Sequence, residues 1–250
     1  VKAANITSED NVVEVGPGIG ALTEAIALKA KKVLAYEIDQ RLLPVLKETL
    51  APYKNVIVLN QDVLKSNLPE DFKTYFSDEP VKVVANLPYY ITTPIMMHFL
   101  ESNVAVSQFV LMMQKEVAER ITAKPNTKAY GSLSIAVQYY MSTKIAFIVP
   151  RTVFMPQPNV DSAILSLEKR SEPLVSVLNE KEFFKLVRGA FQLRRKTLWN
   201  NLLALYGKTP EVREWLTKSL EKAGIAPSRR GESLSIEEFA ALSNALEEEK

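Results

Sequence analysis

The sequence lacks cysteine altogether, and its 250 residues include a single histidine, His98. Without cysteine the chain forms no disulfide scaffold, thiolate zinc site, iron–sulfur cluster or cysteine nucleophile. A lone histidine also argues against a Ser-His-Asp triad and a multi-histidine metal centre, so we predict no metal site. No apolar run reaches the roughly 18 residues that suggest a membrane span, so no membrane association is expected.

The charge is nearly balanced overall but unevenly distributed along the chain. The formal net charge is +2, whereas residues 181–230 hold 12 basic and 4 acidic side chains, a local net charge of +8. A basic block of this kind is typical of a surface that binds a polyanion, and the alternative is a solvated helical face. Charge alone leaves both interpretations open.

Apolar runs alternate with helical stretches in the first two-thirds of the chain. Near-continuous runs such as VVEV, VIVL and FVLMM are typical of strands that helices bury on both faces. The spacing leaves room for a crossover helix between the early strands, which predicts an α/β fold with a doubly wound, mostly parallel sheet. The seven predicted strands are residues 11–16, 32–38, 56–62, 81–87, 107–114, 143–150 and 162–169.

After residue 169 the pattern becomes helical. Ser171-Glu172-Pro173 indicates a linker, and the segments that follow have helix start and stop signals. The predicted helices lie near residues 180–192, 194–206, 210–223 and 235–247. We therefore expect two domains, an α/β body over residues 1–170 and a small, basic, all-helical domain over residues 171–250.

The first predicted strand ends in a glycine-rich loop that opens a helix. Glycines permit a tight turn and let a ligand approach the backbone and the helix N-terminus. Alone, such a loop is often only a strand-to-helix connector. The candidate binding glycines are Gly16, Gly18 and Gly20.

Three acids lie near the ends of the first three predicted strands. Glu14, two residues before the first glycine, suits a ligand with a cationic amino-acid end better than a pyrophosphate. Glu37 is placed to accept both ribose hydroxyls, and Asp62 to accept a hydrogen bond from an adenine amino group. Together they describe an adenosine with a zwitterionic tail and no phosphates, so S-adenosylmethionine is the predicted cofactor.

The tetrapeptide Asn86-Leu87-Pro88-Tyr89 follows the fourth predicted strand. Asn and Pro also favour a plain β-turn, which is the alternative for an isolated tetrapeptide of this kind. At the edge of this sheet the tetrapeptide fits methyl transfer to an adenine N6, a poor nucleophile because its lone pair is delocalised into the ring. Asn86 and a backbone carbonyl can accept the amino hydrogens, and Tyr89 offers a face on which a flipped-out base stacks.

Seven motifs are spread over nearly the whole chain: residues 14–20 (EVGPGIG), 86–94 (NLPYYITTP), 114–120 (QKEVAER), 130–134 (YGSLS), 153–162 (VFMPQPNVDS), 191–198 (FQLRRKTL) and 230–235 (RGESLS). Together they resemble the motifs of the KsgA-type ribosomal RNA adenine dimethyltransferases. The resemblance implies a Rossmann-like class I methyltransferase sheet of seven strands and a small C-terminal helical domain.

The resemblance also implies a reaction and its residues. The family transfers four methyl groups from S-adenosylmethionine to two adjacent adenosines near the 3′ end of 16S rRNA, in the assembling small (30S) ribosomal subunit. The positions that the resemblance assigns to cofactor contact are Gly16, Glu37, Asp62 and Asn86. The catalytic loop is then residues 86–89, and Phe154 is a second aromatic beside the target base. We expect a monomer in a bacterial cytoplasm.

One motif of the family is missing from this sequence. The family carries a further cofactor motif, an Asn-Phe-Leu type segment, just before the region with which this chain begins. We therefore expect the chain to start downstream of that motif. Such a shortened chain would have weaker cofactor binding and catalysis.

Six basic residues are candidates for phosphate contacts with RNA: Lys115, Arg120, Arg188, Arg194, Arg195 and Lys196. The last four are expected on one or two adjacent helices, beside Phe191 and Trp199. The alternative for these cations is helix solvation. The aromatic residues have the spacing of a buried stripe and are expected in the core.

Two other functions remain open. An Erm-type methyltransferase shares the catalytic fold but modifies a large-subunit adenosine; the run at residues 89–94 (YYITTP) and the long C-terminal segment favour the small-subunit enzyme. Alternatively the chain acts chiefly as an RNA-binding assembly factor, although an intact tetrapeptide at residues 86–89 argues against lost chemistry. A small-molecule methyltransferase would leave the basic helical domain unexplained.

Overall fold

All seven predicted strands form, each within a few residues of its predicted bounds. They are β1 (Asn11–Val15), β2 (Lys32–Tyr36), β3 (Val56–Leu59), β4 (Val81–Asn86), β5 (Val106–Gln114), β6 (Met141–Val149) and β7 (Ser162–Lys169). They belong to one sheet, in the order β3-β2-β1-β4-β5-β7-β6. The structure is a computed structural model that describes residues 1–88 and 90–250.

The sheet is mostly parallel, as predicted. β1 pairs in parallel with β2 and β4, and all five of its residues are buried, as is typical of a strand covered on both faces. β3 and β5 continue the parallel pairing on the two sides, and β7 is antiparallel to β5. The carboxyl ends of β1 to β5 therefore meet at one edge of the sheet, which we term the carboxyl edge.

Helices connect the parallel strands, and a fifth helix follows β5. They are α1 (Ala21–Ala27), α2 (Leu43–Thr49), α3 (Leu68–Phe76), α4 (Tyr89–Glu101) and α5 (Lys115–Ile121). Asn67 caps α3 by accepting a hydrogen bond from the main-chain N–H of Glu70. One face of α3 packs into the core, where the ring of Phe72 meets those of Phe76 and Phe99 at centroid distances of 5.7 and 6.2 Å.

The chain divides by its contacts into two compact units. The first comprises Val1–Ala118 and Ser142–Lys169, and the second comprises Glu119–Met141 and Arg170–Lys250. The predicted division into functional domains at residue 170 stays a prediction. The contacts add that the segment Glu119–Met141 packs with the C-terminal residues.

The second unit is helical and has an aromatic core. Its helices are α6 (Ser132–Tyr140), α7 (Glu180–Ala190), α8 (Leu198–Tyr206), α9 (Pro210–Lys222) and α10 (Ile236–Glu248). The ring of Phe191 packs against Tyr130 and Phe239, each at a centroid distance of 5.9 Å. The buried hydroxyl of Tyr130 donates to the carbonyl of Leu234 at 2.9 Å, which ties the segment before β6 to the C-terminal helices.

Helix α8 begins at Leu198, four residues later than predicted. Thr197 caps it, and the buried side chain of Asn201 closes the preceding turn. Asn201 Oδ1 accepts from the N–H of Leu193 at 3.0 Å, and Nδ2 donates to the carbonyl of Leu193 at 3.2 Å. The expectation that three basic residues lie on a helix is therefore wrong. The turn between α7 and α8 holds Arg194, Arg195 and Lys196.

Neither a membrane span nor a metal cluster is found in the described residues. None of their helices combines the length and the apolar character needed to cross a bilayer. Across residues 1–88 and 90–250, no group of three or more His, Cys, Asp or Glu side chains is arranged to hold a metal ion.

We expect Asn201→Ala to lower the free energy of unfolding by about 1–3 kcal/mol, because the amide and carbonyl of Leu193 lose their partner. Chemical denaturation measures this change. Asn200→Ala is the matched control, since Asn200 is exposed, and its effect should stay below about 0.5 kcal/mol. Equal losses in the two variants would contradict the role assigned to Asn201.

Candidate functional site

Four predicted site residues lie near the ends of four adjacent strands. Gly16 follows β1, Glu37 follows β2, Asp62 lies shortly after β3, and Asn86 is the last residue of β4. In the sheet these strands are ordered β3-β2-β1-β4. Because the carboxyl ends of parallel strands meet at one edge, the structure brings all four positions to the carboxyl edge.

The glycine loop is held between β1 and β2. Gly16 and Gly18 have φ angles of +70° and +58°, which residues with a Cβ rarely adopt, and Gly20 immediately precedes α1. The N–H of Gly16 donates to the carbonyl of Tyr36 at 2.9 Å, and the N–H of Gly18 donates to Glu37 Oε2 at 3.3 Å. A Cβ on Gly18 would meet no described atom within 4 Å, so the loop faces open space there.

The glycine loop also contacts the tetrapeptide after β4. A Cβ placed on Gly16 would lie 2.6 Å from Cδ2 of Leu87, closer than carbon atoms approach in proteins. The missing Cβ of Gly16 therefore leaves the space that Cδ2 of Leu87 occupies, and a Cβ there would displace the leucine side chain. Two motifs that are far apart in the sequence thus form one surface.

Glu14, in β1, is a buried carboxylate with an unpaired oxygen. The residue is 1% exposed, and its Oε2 has no hydrogen-bond partner among the described residues. Burial raises the pKa of Glu14 to about 7. The buried hydroxyl of Thr23, in α1, lies beside Glu14 and partly opposes this rise in pKa, although it makes no hydrogen bond of ordinary geometry in the described part of the chain. A cationic group beside Glu14 would stabilise its ionised form.

Thr23 is the polar residue near this loop that the sequence analysis did not identify. A threonine in the first turn of a helix is ordinary, and no motif marks it. Only its complete burial, together with an unpaired hydroxyl, distinguishes it.

The other two acids are partly engaged by the backbone. Glu37 is buried, and its two carboxylate oxygens accept main-chain N–H groups, from Gly18 at 3.3 Å and from Asp39 at 2.8 Å. A carboxylate has about four acceptor sites, so Glu37 retains capacity for two hydroxyl donors. Asp62 Oδ1 accepts a main-chain N–H at 3.0 Å, and Oδ2 lies 3.8 Å from Lys65 Nζ, so Oδ2 is the oxygen left for a further donor.

The tetrapeptide joins β4 to α4. Asn86 is exposed at the end of the strand, and Pro88 is the N-cap residue of the helix. The carbonyl of Pro88 accepts from the N–H of Ile91 at 3.2 Å and from Oγ1 of Thr92 at 3.3 Å. The helix thereby anchors the tetrapeptide behind Asn86. The side chain of Tyr89 lies outside the described residues, and its stacking role stays a prediction.

Phe154 lies in the segment between β6 and β7 and is half-buried. The last residue of β5 pairs with the first residue of β7, and the carbonyl of Asp161 accepts from the N–H of Lys115 at 3.0 Å. This segment therefore reaches the carboxyl end of β5, the strand next to β4. The segment that holds Phe154 and the end of β4 at Asn86 are therefore on the same side of the sheet, with β5 between β4 and β7.

The six predicted RNA contacts are divided between the two units. Lys115 belongs to the first unit, and the second holds Arg120, Arg188, Arg194, Arg195 and Lys196. All five of these second-unit residues are exposed. The structure therefore places five predicted cations of the second unit at its surface.

Arg194 is engaged within its own unit. Its Nε donates to Glu232 Oε2 at 2.9 Å, and a terminal nitrogen donates to the carbonyl of Lys128 at 2.6 Å. Much of its hydrogen-bonding capacity is thus used to connect three segments of the second unit. Its neighbours in the turn are better placed to contact RNA.

Comparison with known proteins gives one consistent family. The family described as ribosomal RNA adenine dimethylase matches residues 1–248. A ribosomal RNA small subunit methyltransferase A of Enterococcus faecalis is 65% identical over 251 residues, which cover 100% of this chain and 85% of that protein. A protein of the same name from Streptococcus pneumoniae is 60% identical over 247 residues, which cover 98% of this chain and 85% of that protein.

Two solved structures have a similar fold over nearly the whole chain. A dimethyladenosine transferase from Plasmodium falciparum has a TM-score of 0.79 at 28% identity, covering 96% of this chain and 91% of that chain. The 23S rRNA methyltransferase ErmE has a TM-score of 0.72 at 29% identity, covering 98% of this chain and 94% of that chain. The similarity therefore includes the helical C-terminal residues.

We expect Gly16→Ala to lower the free energy of unfolding by about 3 kcal/mol, since backbone strain and overlap with Leu87 add together. Gly18→Ala is the matched control: it has the same kind of strain but open space around the Cβ, and should cost about 1–2 kcal/mol. Combining Gly16→Ala with Leu87→Ala should recover part of the loss in a double-mutant cycle. Strict additivity would show that the two residues do not contact.

The buried carboxylate of Glu14 predicts a pH-dependent stability. Its pKa is about 7 in the folded protein and has the ordinary value of 4.5 in the unfolded chain, so above pH 4.5 the unfolded chain loses this proton first. The free energy of unfolding should then fall between pH 5 and 7, by up to about 3 kcal/mol relative to a Glu14→Gln variant. Carboxyls of lowered pKa such as Asp10 and Glu238 act with the opposite sign at lower pH. Parallel curves for the two proteins would contradict the assignment.

Proposed function

The chain belongs to the ribosomal RNA adenine dimethylase family, and from that membership we propose that it transfers methyl groups from S-adenosylmethionine to the N6 atoms of two adjacent adenosines near the 3′ end of 16S rRNA. The family match over residues 1–248 is the observation that carries this proposal. The substrate is the small ribosomal subunit or its precursor, so the enzyme also takes part in subunit maturation. It works as a monomer in the cytoplasm, where subunits assemble.

Observations on the carboxyl edge support S-adenosylmethionine as the cofactor. Open space lies above Gly18, an unpaired carboxylate lies at Glu14, and Glu37 keeps acceptor capacity beside the same loop. These groups match a nucleoside with a cationic amino-acid end. The cofactor supplies a methyl group that a positively charged sulfur makes electrophilic.

Each acid then has a separate binding role. Glu14 neutralises the ammonium group of the cofactor. Glu37 accepts hydrogen bonds from its ribose hydroxyls, and Asp62 Oδ2 accepts a hydrogen bond from its adenine amino group. The backbone hydrogen bonds to Glu37 hold the carboxylate in place before the ligand arrives. Binding energy is therefore spent on orientation of the cofactor rather than on rearranging the loop.

Asn86 and the two aromatic residues act on the target adenine. Asn86 Oδ1 and a main-chain carbonyl accept the two amino hydrogens, which favours a tetrahedral N6 whose lone pair is directed at the methyl group. Because the Pro88 carbonyl is already engaged by α4, the main-chain acceptor is expected before it. Tyr89 and Phe154 stack against the flipped-out base. Rate comes from in-line positioning and from electrostatics around the sulfonium, and no strong general base is required.

The small-subunit substrate is favoured over a large-subunit one. The small-subunit relatives share 60–65% of their residues with this chain, whereas ErmE shares 29%. An Erm-type activity is therefore the less favoured alternative. A role as an assembly factor without methylation is distinguished from the enzyme by whether the unaltered chain labels the particles that it binds.

Tritiated S-adenosylmethionine and 30S particles from an unmethylated strain test the proposal. We expect label in N6,N6-dimethyladenosine at two adjacent positions near the 3′ end of 16S rRNA, and none in protein-free 23S rRNA. Asn86→Ala should lower kcat about 100-fold or more, because an interaction made to the reacting nitrogen is lost. Particle binding by this variant should be unchanged.

Three outcomes would change the proposal. Label confined to 23S rRNA would establish the Erm-type alternative. Tight binding of particles by the unaltered chain without any label would favour an assembly factor. Full activity of Asn86→Ala would remove Asn86 from the catalytic loop.

A further inference from the structure

The cations of the basic block, residues 181–230, divide into those that meet an acid and those that do not. Ion pairs within the second unit join Lys185 to Glu182, Arg194 to Glu232, Lys218 to Glu214, Lys222 to Glu248 and Glu249, and Arg229 to Glu238. An acid beside each of these cations reduces the positive potential it presents to a ligand. The block is therefore less uniformly positive than its sequence indicates.

Lys196, Lys208 and Arg213 line a single groove of about 340 Å³, which we term the basic groove. All three are exposed, and in the described part of the chain none of them forms an ion pair. Among the described residues, no acidic side chain lines the groove. Three of the cations of the basic block that form no ion pair in the described part of the chain thus line one groove.

The local structure explains why these cations converge. One face of α8 supplies the floor, through Asn200, Leu203 and Ala204, which are spaced as neighbours on a helix surface. The turn before α8 carries Lys196, and the turn after it carries Lys208. Arg213 Nε donates to the carbonyl of Lys208 at 3.1 Å, which holds the first turn of α9 against the turn that carries Lys208.

We propose that the basic groove binds the sugar–phosphate backbone of the RNA substrate, with Lys208 and Arg213 as phosphate contacts that no motif marks. The inference rests on the proposed function, because it assigns a binding surface to the same substrate. Cations at both ends of one helix face suit a ligand with regularly repeated negative charge. The small side chain of Ala204 leaves room for a backbone to lie on the helix.

The chemistry of the lining favours RNA over a compact anion. Leu193, at the rim, is 46% exposed, and it offers an apolar surface to a ribose or base next to the phosphates. Asn200 adds a neutral donor and acceptor on the floor. An acidic protein segment is the competing occupant, and the experiment below includes it.

The test compares two double variants that remove the same charge. Lys208→Gln/Arg213→Gln changes the basic groove, and Lys218→Gln/Lys222→Gln changes cations of the same helix that already meet acids. Affinity for unmethylated 30S particles and for protein-free 16S rRNA is measured from 50 to 300 mM salt, with methylation of the particles in parallel. The single variant Lys208→Gln leaves every main-chain contact intact, and thermal unfolding verifies the fold of each protein.

The groove variant should bind both RNA probes about 20-fold more weakly at 0.1 M salt, and its plot of log affinity against log salt should be shallower by about 1.4. Lys208→Gln alone should lower the slope by about 0.7. The control variant should keep the slope of the unaltered chain, and kcat at saturating particles should be equal in all proteins.

Equal affinities and slopes in the two double variants would overturn the inference while leaving the methylation of 16S rRNA intact. A loss confined to 30S particles, with binding of free 16S rRNA unchanged, would assign the groove to a protein segment instead. If the unaltered chain neither binds nor methylates the particles, the proposed function fails first, and the inference fails with it.

Discussion

The close packing of Leu87 on Gly16 is the contact on which the site depends. Parallel pairing aligns Val15 of β1 with Ala85 of β4, so the residues that follow these strands emerge at the same level of the carboxyl edge. The missing Cβ of Gly16 then lets the tetrapeptide after β4 lie against the loop after β1. The glycine loop and the tetrapeptide are thereby held against each other, as the positioning mechanism that we propose requires.

A second constraint is electrostatic. A carboxylate as buried as Glu14 is costly to ionise, and a cationic ligand offsets that cost when it binds. Glu37 differs from Glu14, because both of its carboxylate oxygens already accept hydrogen bonds from main-chain N–H groups. In the function that we propose, Glu37 is held in place before the ligand binds and orients it, whereas Glu14 gains a partner only from the ligand.

The sequence predicts the sheet well because continuous apolar runs and regular spacing are local signals, and β1 to β7 follow them. It also predicts the edge residues, since the ends of parallel strands share one edge. What it misses depends on residues that meet only in the folded chain. Asn201 bonds to Leu193 in the turn before α8, and Glu232 accepts a hydrogen bond from Arg194. The basic groove is likewise invisible in sequence, because paired and unpaired cations look alike until the acids beside them are known.

Calorimetric titration of the chain with S-adenosylmethionine at pH 6, in buffers of different ionisation enthalpy, tests whether the cofactor binds beside Glu14. Glu14 has a pKa of about 7 and holds its proton at that pH, so an ammonium group placed beside it should release it. We expect release of most of one proton for each cofactor bound, and none by Glu14→Gln. Binding without proton release, or with equal release by both proteins, would contradict the placement of the cofactor on the carboxyl edge.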